Sequence, residues 1–105
     1  MPNQLITPIV CGGLNETHPA NDYIQDLLNN LEHEIRTSSD RDFEFLKAIE
    51  FRSQVVAGRN FFIKANVGKE HIHVKIFVPL PINGDKPLLT DIKFGKTETD
   101  EITYF

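Results

Sequence analysis

Cys11, His71 and His73 are the side chains of this 105-residue chain best placed for nucleophilic or metal chemistry. His71 and His73 stand two apart, which on a strand puts both rings on one face, as a pair of metal ligands requires. No further His or Cys lies near them in sequence, so we read them as solvated strand histidines and expect no bound metal. Cys11 could act as a nucleophile with a distant His. It sits in a Gly-flanked arm, however, which offers no fixed base and no oxyanion hole. There is no cofactor motif, and no set of ionisable residues has a recognisable catalytic spacing. We therefore expect no catalytic residue, no cofactor and no enzyme.

The remaining chemistry is contact. Gln54-Val55-Val56-Ala57-Gly58 stands between two segments that read as strands, at the point where the chain reverses. Hairpin tips are usually built from Asn, Asp, Ser and Gly. Apolar residues at a reversal mark a surface made to be covered by a partner. On the pentapeptide alone, the other reading, that the valines are the buried end of a strand, stays open.

The elements that must position this tip follow from periodicity. Ile24, Leu27, Leu28, Leu31 and Ile35 fall at helical spacing and predict one helix with a narrow apolar stripe. Asn21 is its N-cap, Asp22 and Asp26 lie near the positive end of its dipole, and Thr37-Ser38-Ser39-Asp40 ends it. From Arg59 to Val67, Phe61, Ile63, Ala65 and Val67 alternate with Asn60, Phe62, Lys64 and Asn66. From His71 to Val78, Ile72, Val74, Ile76 and Val78 alternate with His71, His73, Lys75 and Phe77. Both runs have the period of a sheet with one buried face, and Gly68-Lys69-Glu70 joins them as a hairpin. An earlier strand over Phe43 to Gln54 switches faces, which predicts a bulge near Ala48-Ile49. A last strand covers Leu89 to Phe94, after the turn Asn83-Gly84-Asp85. Residues 1–18 show no period and read as an extended, partly disordered arm. The fold class is α+β, an antiparallel sheet with one helix across its buried face.

Composition narrows the function. The length fits one domain, and 40% hydrophobic with 25% charged residues is ordinary for a soluble globular protein. A net charge of -4, a pI near 5.5 and scattered basic residues argue against a nucleic-acid partner. No run has the apolar length to cross a membrane. The N-terminus lacks a basic n-region and a full h-region, and a lone cysteine allows no internal disulfide. Both predict a reducing, cytoplasmic location.

Taken singly, Gly12-Gly13 reads as flexible linker and Leu80-Pro81 as loop punctuation. Taken in order, with Gln54-Val55-Val56-Ala57-Gly58, Asn60-Phe61-Phe62-Ile63-Lys64 and the terminal Asp100-Glu101-Ile102-Thr103-Tyr104-Phe105, they make the chain resemble a stefin. Stefins are the disulfide-free, type-1 branch of the cystatin inhibitors of cysteine proteases. The likeness runs from about Val10 to Phe105. It implies a cystatin-like antiparallel sheet wrapped around a single long helix, in one domain, with residues 1–9 as a flexible N-terminal extension.

The resemblance also implies partners and a site. The partners are papain-like cysteine proteases of the cathepsin type. The site is a wedge of the arm Val10, Cys11 and Gly12, the first hairpin Gln54, Val55, Val56, Ala57 and Gly58, and the second hairpin Leu80 and Pro81. In that scheme Gly12 lets backbone pass close to the catalytic thiolate without presenting a cleavable bond. Val10 and Cys11 fill non-primed subsites, Val55 and Val56 cover the primed side, and Leu80 is stiffened by Pro79 and Pro81. The long arm, Arg59 after the first hairpin and Pro79 before the second differ from the stefin pattern. The resemblance further implies a monomer in which a domain-swapped dimer is accessible. The alternative is a cystatin-fold binding module with a changed or lost protease target.

Overall fold

Asn21 starts the helical run by accepting the Ile24 amide on its side-chain oxygen at 2.9 Å, which satisfies a donor that every helix start leaves unpaired. The computed structural model describes residues 13–84 and 86–105. The expected extension 1–9, the arm residues Val10, Cys11 and Gly12, and Asp85 of the expected turn lie outside these. The helical stripe folds as two helices, α1 (Asp22–Asn30) and α2 (Glu32–Thr37), rather than the single long helix expected. At Leu31 the backbone leaves helical geometry, and its N–H bonds to the Leu28 carbonyl at 3.2 Å. The α pattern resumes with Ile35 N–H to Leu31 oxygen at 2.9 Å. Asn29 and Asn30, just before the break, are weak helix formers whose side chains compete for backbone partners. The break spares the stripe: Ile24, Leu27, Leu28, Leu31 and Ile35 are all buried. Ser38 Oγ and Thr37 Oγ1 then donate to the Glu34 carbonyl and end α2 as expected.

Five strands form one antiparallel sheet in chain order: β1 (His18–Pro19), β2 (Lys47–Val56), β3 (Gly58–Asn66), β4 (His71–Val78) and β5 (Leu88–Lys96). The predicted bulge is present, with the register shifting between Ala48 and Glu50. Gln25 of α1 satisfies the backbone beside it, donating to the Leu46 carbonyl at 2.9 Å and accepting the Ala48 amide at 2.8 Å. β2 begins at Lys47, later than the expected Phe43. Arg36 holds the Phe43 carbonyl at 2.8 Å and Glu44 N–H reaches the Val67 carbonyl at 3.0 Å, so 43–46 is a connection. It still delivers Phe43 and Leu46 to the core. The arm is more ordered than expected over its described part. Leu14 bridges to Gln54, and His18 and Pro19 pair with Phe51 and Glu50.

The helices cover one face of the sheet, burying Phe61, Ile63, Ala65, Val67, Ile72, Val74 and Ile76 as the period of two predicts. The second face is where the expectation fails. Phe62, Lys64 and His73, read as outward-facing, are buried, because the C-terminal segment 97–105 lies over them. Ile102 is buried there, and the rings of Tyr104 and Phe105 stand 5.8 and 5.4 Å from that of Phe62. His73 is thus no solvated strand histidine. A segment without strand periodicity leaves no trace in the alternation of the strands it covers. Among the described residues, no helix is long and apolar enough to cross a membrane.

Candidate functional site

Strand order brings three segments to one end of the sheet. β2 and β3 are joined there by Ala57 alone, β4 leaves there through Pro79, and the arm arrives there with Leu14 bridged to Gln54. Asn15 fixes that arrival, its backbone N–H donating to the Ser53 carbonyl at 2.8 Å and its side-chain amide to Ser53 Oγ at 3.2 Å. The described residues of the arm therefore lie against β2 up to the hairpin.

Within the first hairpin the five expected residues divide by burial. Val56 is 38% exposed, Ala57 is exposed and Val55 is half-buried, so the tip does present apolar side chains. Gln54 is 5% exposed, and its Oε1 accepts the Asn60 amide at 2.7 Å, bracing β2 against β3 beneath the tip. Gly58 is buried with φ of +126°, a conformation that L side chains rarely adopt. A Cβ at this position would stand 2.6 Å from the Val78 carbonyl oxygen. Gln54 and Gly58 therefore shape the tip, while Val55, Val56 and Ala57 present it.

The second connection is built to hold Leu80 out. Pro79 is buried, Leu80 is extended at φ -61° and ψ 142° and 46% exposed, and Pro81 opens a 3₁₀ turn over Pro81–Asn83. Gly84, at φ +69°, closes the turn by donating to the Pro81 carbonyl at 3.0 Å. Both hairpins border one shallow groove of about 350 Å³, lined by Val55, Val56 and Gly58 on one side and Pro79, Leu80 and Pro81 on the other, with Arg59 at its rim. Ile82, 89% exposed on the same turn, went unnoticed in the sequence, where a single Ile after Leu-Pro carries no period.

What the described residues offer at this end of the sheet is apolar contact. The groups with displaced pKa values lie elsewhere: Glu70 in the turn at the opposite end, Asp100 in the C-terminal segment and His73 beneath it. Arg41 pairs with Glu70 and lowers its pKa, and the Thr97 amide bonds Asp100 and lowers its pKa. No group of three or more His, Cys, Asp or Glu among the described residues could hold a metal ion.

The cystatin domain profile matches residues 12–102, which take in both hairpins, the whole sheet and most of the covering segment. The chain belongs to the cystatin family. Cystatin-A of Felis catus is 37% identical over 98 residues, covering 92% of this chain and 100% of that protein. Cystatin-B of Homo sapiens is 37% identical over 99 residues, covering 92% and 100%. Leukocyte cysteine proteinase inhibitor 1 of Sus scrofa is 37% identical over 98 residues, covering 92% and 95%. These relatives bear out the stefin resemblance, and the sheet with its crossing helices is the α+β cystatin fold.

Proposed function

We propose that this cystatin is a tight, reversible, non-covalent inhibitor of papain-like cysteine proteases. The observation that carries the reading is the pairing of exposed Val56 with exposed Leu80 across one groove, each on a turn whose shape is already set. Gly58 fixes the first turn by its positive φ, and Pro81 with Gly84 fixes the second. Preformed turns lose little conformational freedom on docking, so apolar contact translates into affinity rather than into ordering. A relative named as a cysteine proteinase inhibitor, matched along nearly its full length, supports the same reading.

In this proposal the wedge formed by Val10, Cys11 and Gly12 of the arm, Val55, Val56 and Ala57 of the first tip, and Leu80 and Pro81 of the second fills the protease cleft. Substrate is excluded by occupancy. No bond to the catalytic thiolate forms, since the wedge carries no electrophile beyond ordinary peptide carbonyls. Gln54 and Gly58 serve the site from inside the hairpin. Titration of papain with the purified chain tests this. Activity should fall to a stoichiometric end point, and intact chain should be recovered from the complex after denaturation. Papain and cathepsin-type proteases left fully active by excess chain would overturn the reading, and would leave a cystatin-fold module with another partner.

A further inference from the structure

On the second face of the sheet, Glu50, Lys64, His73 and Lys93 form a row across β2, β3, β4 and β5, each the register partner of the next. The segment 97–105 covers this row and the one beside it, and basic side chains of the sheet hold it by its backbone. Lys64 Nζ donates to the Glu98 carbonyl at 2.6 Å, Arg52 Nη1 to the Ile102 carbonyl at 2.8 Å and Lys75 Nζ to the Phe105 carbonyl at 2.9 Å. His73 lies beneath, 1% exposed, and its Nε2 has no hydrogen-bond partner among the described residues. An orphaned ring nitrogen at this depth is uncommon in a folded protein.

The charges around His73 oppose a cationic ring. Lys96 of β5 is the larger charge effect, and Lys64, 2% exposed and its direct partner on β3, adds to it. Asp100 of the covering segment and Glu50 of β2 act the other way, and Glu50 is already paired with Lys64 at 3.0 Å. His71 and Lys75, each two residues away on the same face of β4, and Lys93, opposite on β5, stand around it as well. Burial outweighs every charge and holds the His73 pKa down to about 4.

We infer that His73 is an acid-sensitive latch, whose protonation releases segment 97–105 from the sheet while the helices and the β2–β3 hairpin stay in place. An imidazolium beside Lys64 and Lys96, with no acceptor for Nε2, must gain water. The sheet beneath it is tied by ladders on both sides and by the helical core. The segment above it is tied by three carbonyl contacts, the half-exposed Arg52–Glu101 pair at 3.6 Å, Ile102, and two rings under Lys75 and Lys93, with no ladder of its own, so the segment is what moves. In the released state the ring is free to titrate near its ordinary 6.5. Closure is therefore complete above pH 6.5 and weakens as pH falls toward 4. Between those values, at pH 5, release is favoured about thirtyfold over neutral pH. The latch lies on the face away from the helices and does not rest on the inhibitor reading.

Amide exchange and the His73 ring signals, followed by NMR on the whole chain at pH 7.5 and pH 5, test it. Corrected for intrinsic exchange, opening of residues 98–105 should rise about thirtyfold at pH 5. The β2–β3 hairpin should keep its protection, and opening should follow the ring titration. His73→Phe keeps a ring of similar bulk and should abolish the rise; His73→Gln serves as a second variant, and the wild-type titration stands if neither folds. A covering segment equally closed at both pH values, a rise that survives in a folded His73→Phe chain, or loss of the segment and the hairpin together would overturn the latch.

Discussion

Val55, Val56 and Gly58 show how neighbouring residues divide a site between contact and shape. Gly58 takes no side chain without strain, because a Cβ there meets both a φ that L residues rarely adopt and the Val78 carbonyl. Gly58→Ala should destabilise the chain by about 2–4 kcal/mol, read as a lower urea midpoint at unchanged slope. A loss under about 0.5 kcal/mol, the size of an ordinary surface change, would show that the hairpin relaxes freely. Val55→Asp with Val56→Asp tests the opposite property. The pair sits at the exposed edge, so circular dichroism should be unchanged. The inhibition constant against papain should rise by at least about two orders of magnitude, because unpaired carboxylates would face an apolar cleft. Unfolding of this double variant would make the valines core and sink the wedge. The valines were legible because apolar residues at a reversal break a rule. His73 was not, since alternation says which strand residues share a face and nothing about what covers that face.

At the scale of elements, periodic segments were legible and the connections between them less so. The helical stripe, the two alternating strands and the bulge at Ala48-Ile49 are all written in spacing, and each is present. The break at Leu31 is a local backbone event inside an intact stripe, and the stripe alone cannot report it. The covering segment 97–105 has no period, yet it buries Phe62 and ties down Arg52, Lys64 and Lys75. The arm is the other aperiodic element, and its order over 13–19 comes from edge pairing to β2. That pairing delivers Gly13 beside the first hairpin, and in the inhibitor proposal Val10, Cys11 and Gly12 are the arm's contacts. Deleting residues 1–8 should therefore weaken papain inhibition far less than deleting residues 1–12, which also removes Val10, Cys11 and Gly12. Equal losses from the two truncations, measured as inhibition constants, would move the contacts into residues 1–8.

For the whole molecule, the arrangement that presents the first tip also makes it interruptible. β1, α1, α2 and β2 precede the first hairpin, and β3, β4 and β5 follow it, so Ala57 is the covalent link between the two halves that the β2–β3 ladder joins. Opening that link lets β2 of one copy pair with β3 of another through the same register, which preserves the ladder and the helix packing. The exchange gives up the tip itself, including the positive φ that Gly58 must hold in the closed hairpin. Relief of that constraint favours exchange, while the loss of independent motion of two chains opposes it. Fresh protein should accordingly be a monomer, because exchange requires the two halves to separate. Heating near the unfolding midpoint should yield a dimer that persists in dithiothreitol, since no disulfide holds it. In that dimer Val55 and Val56 lie within a continuous strand rather than at a tip. Each peak from size-exclusion chromatography should then be assayed on papain, with inhibition confined to the monomer. A heat-induced dimer that inhibits fully would place the exchange at another hinge, and one that dissociates in reductant would be a Cys11 disulfide.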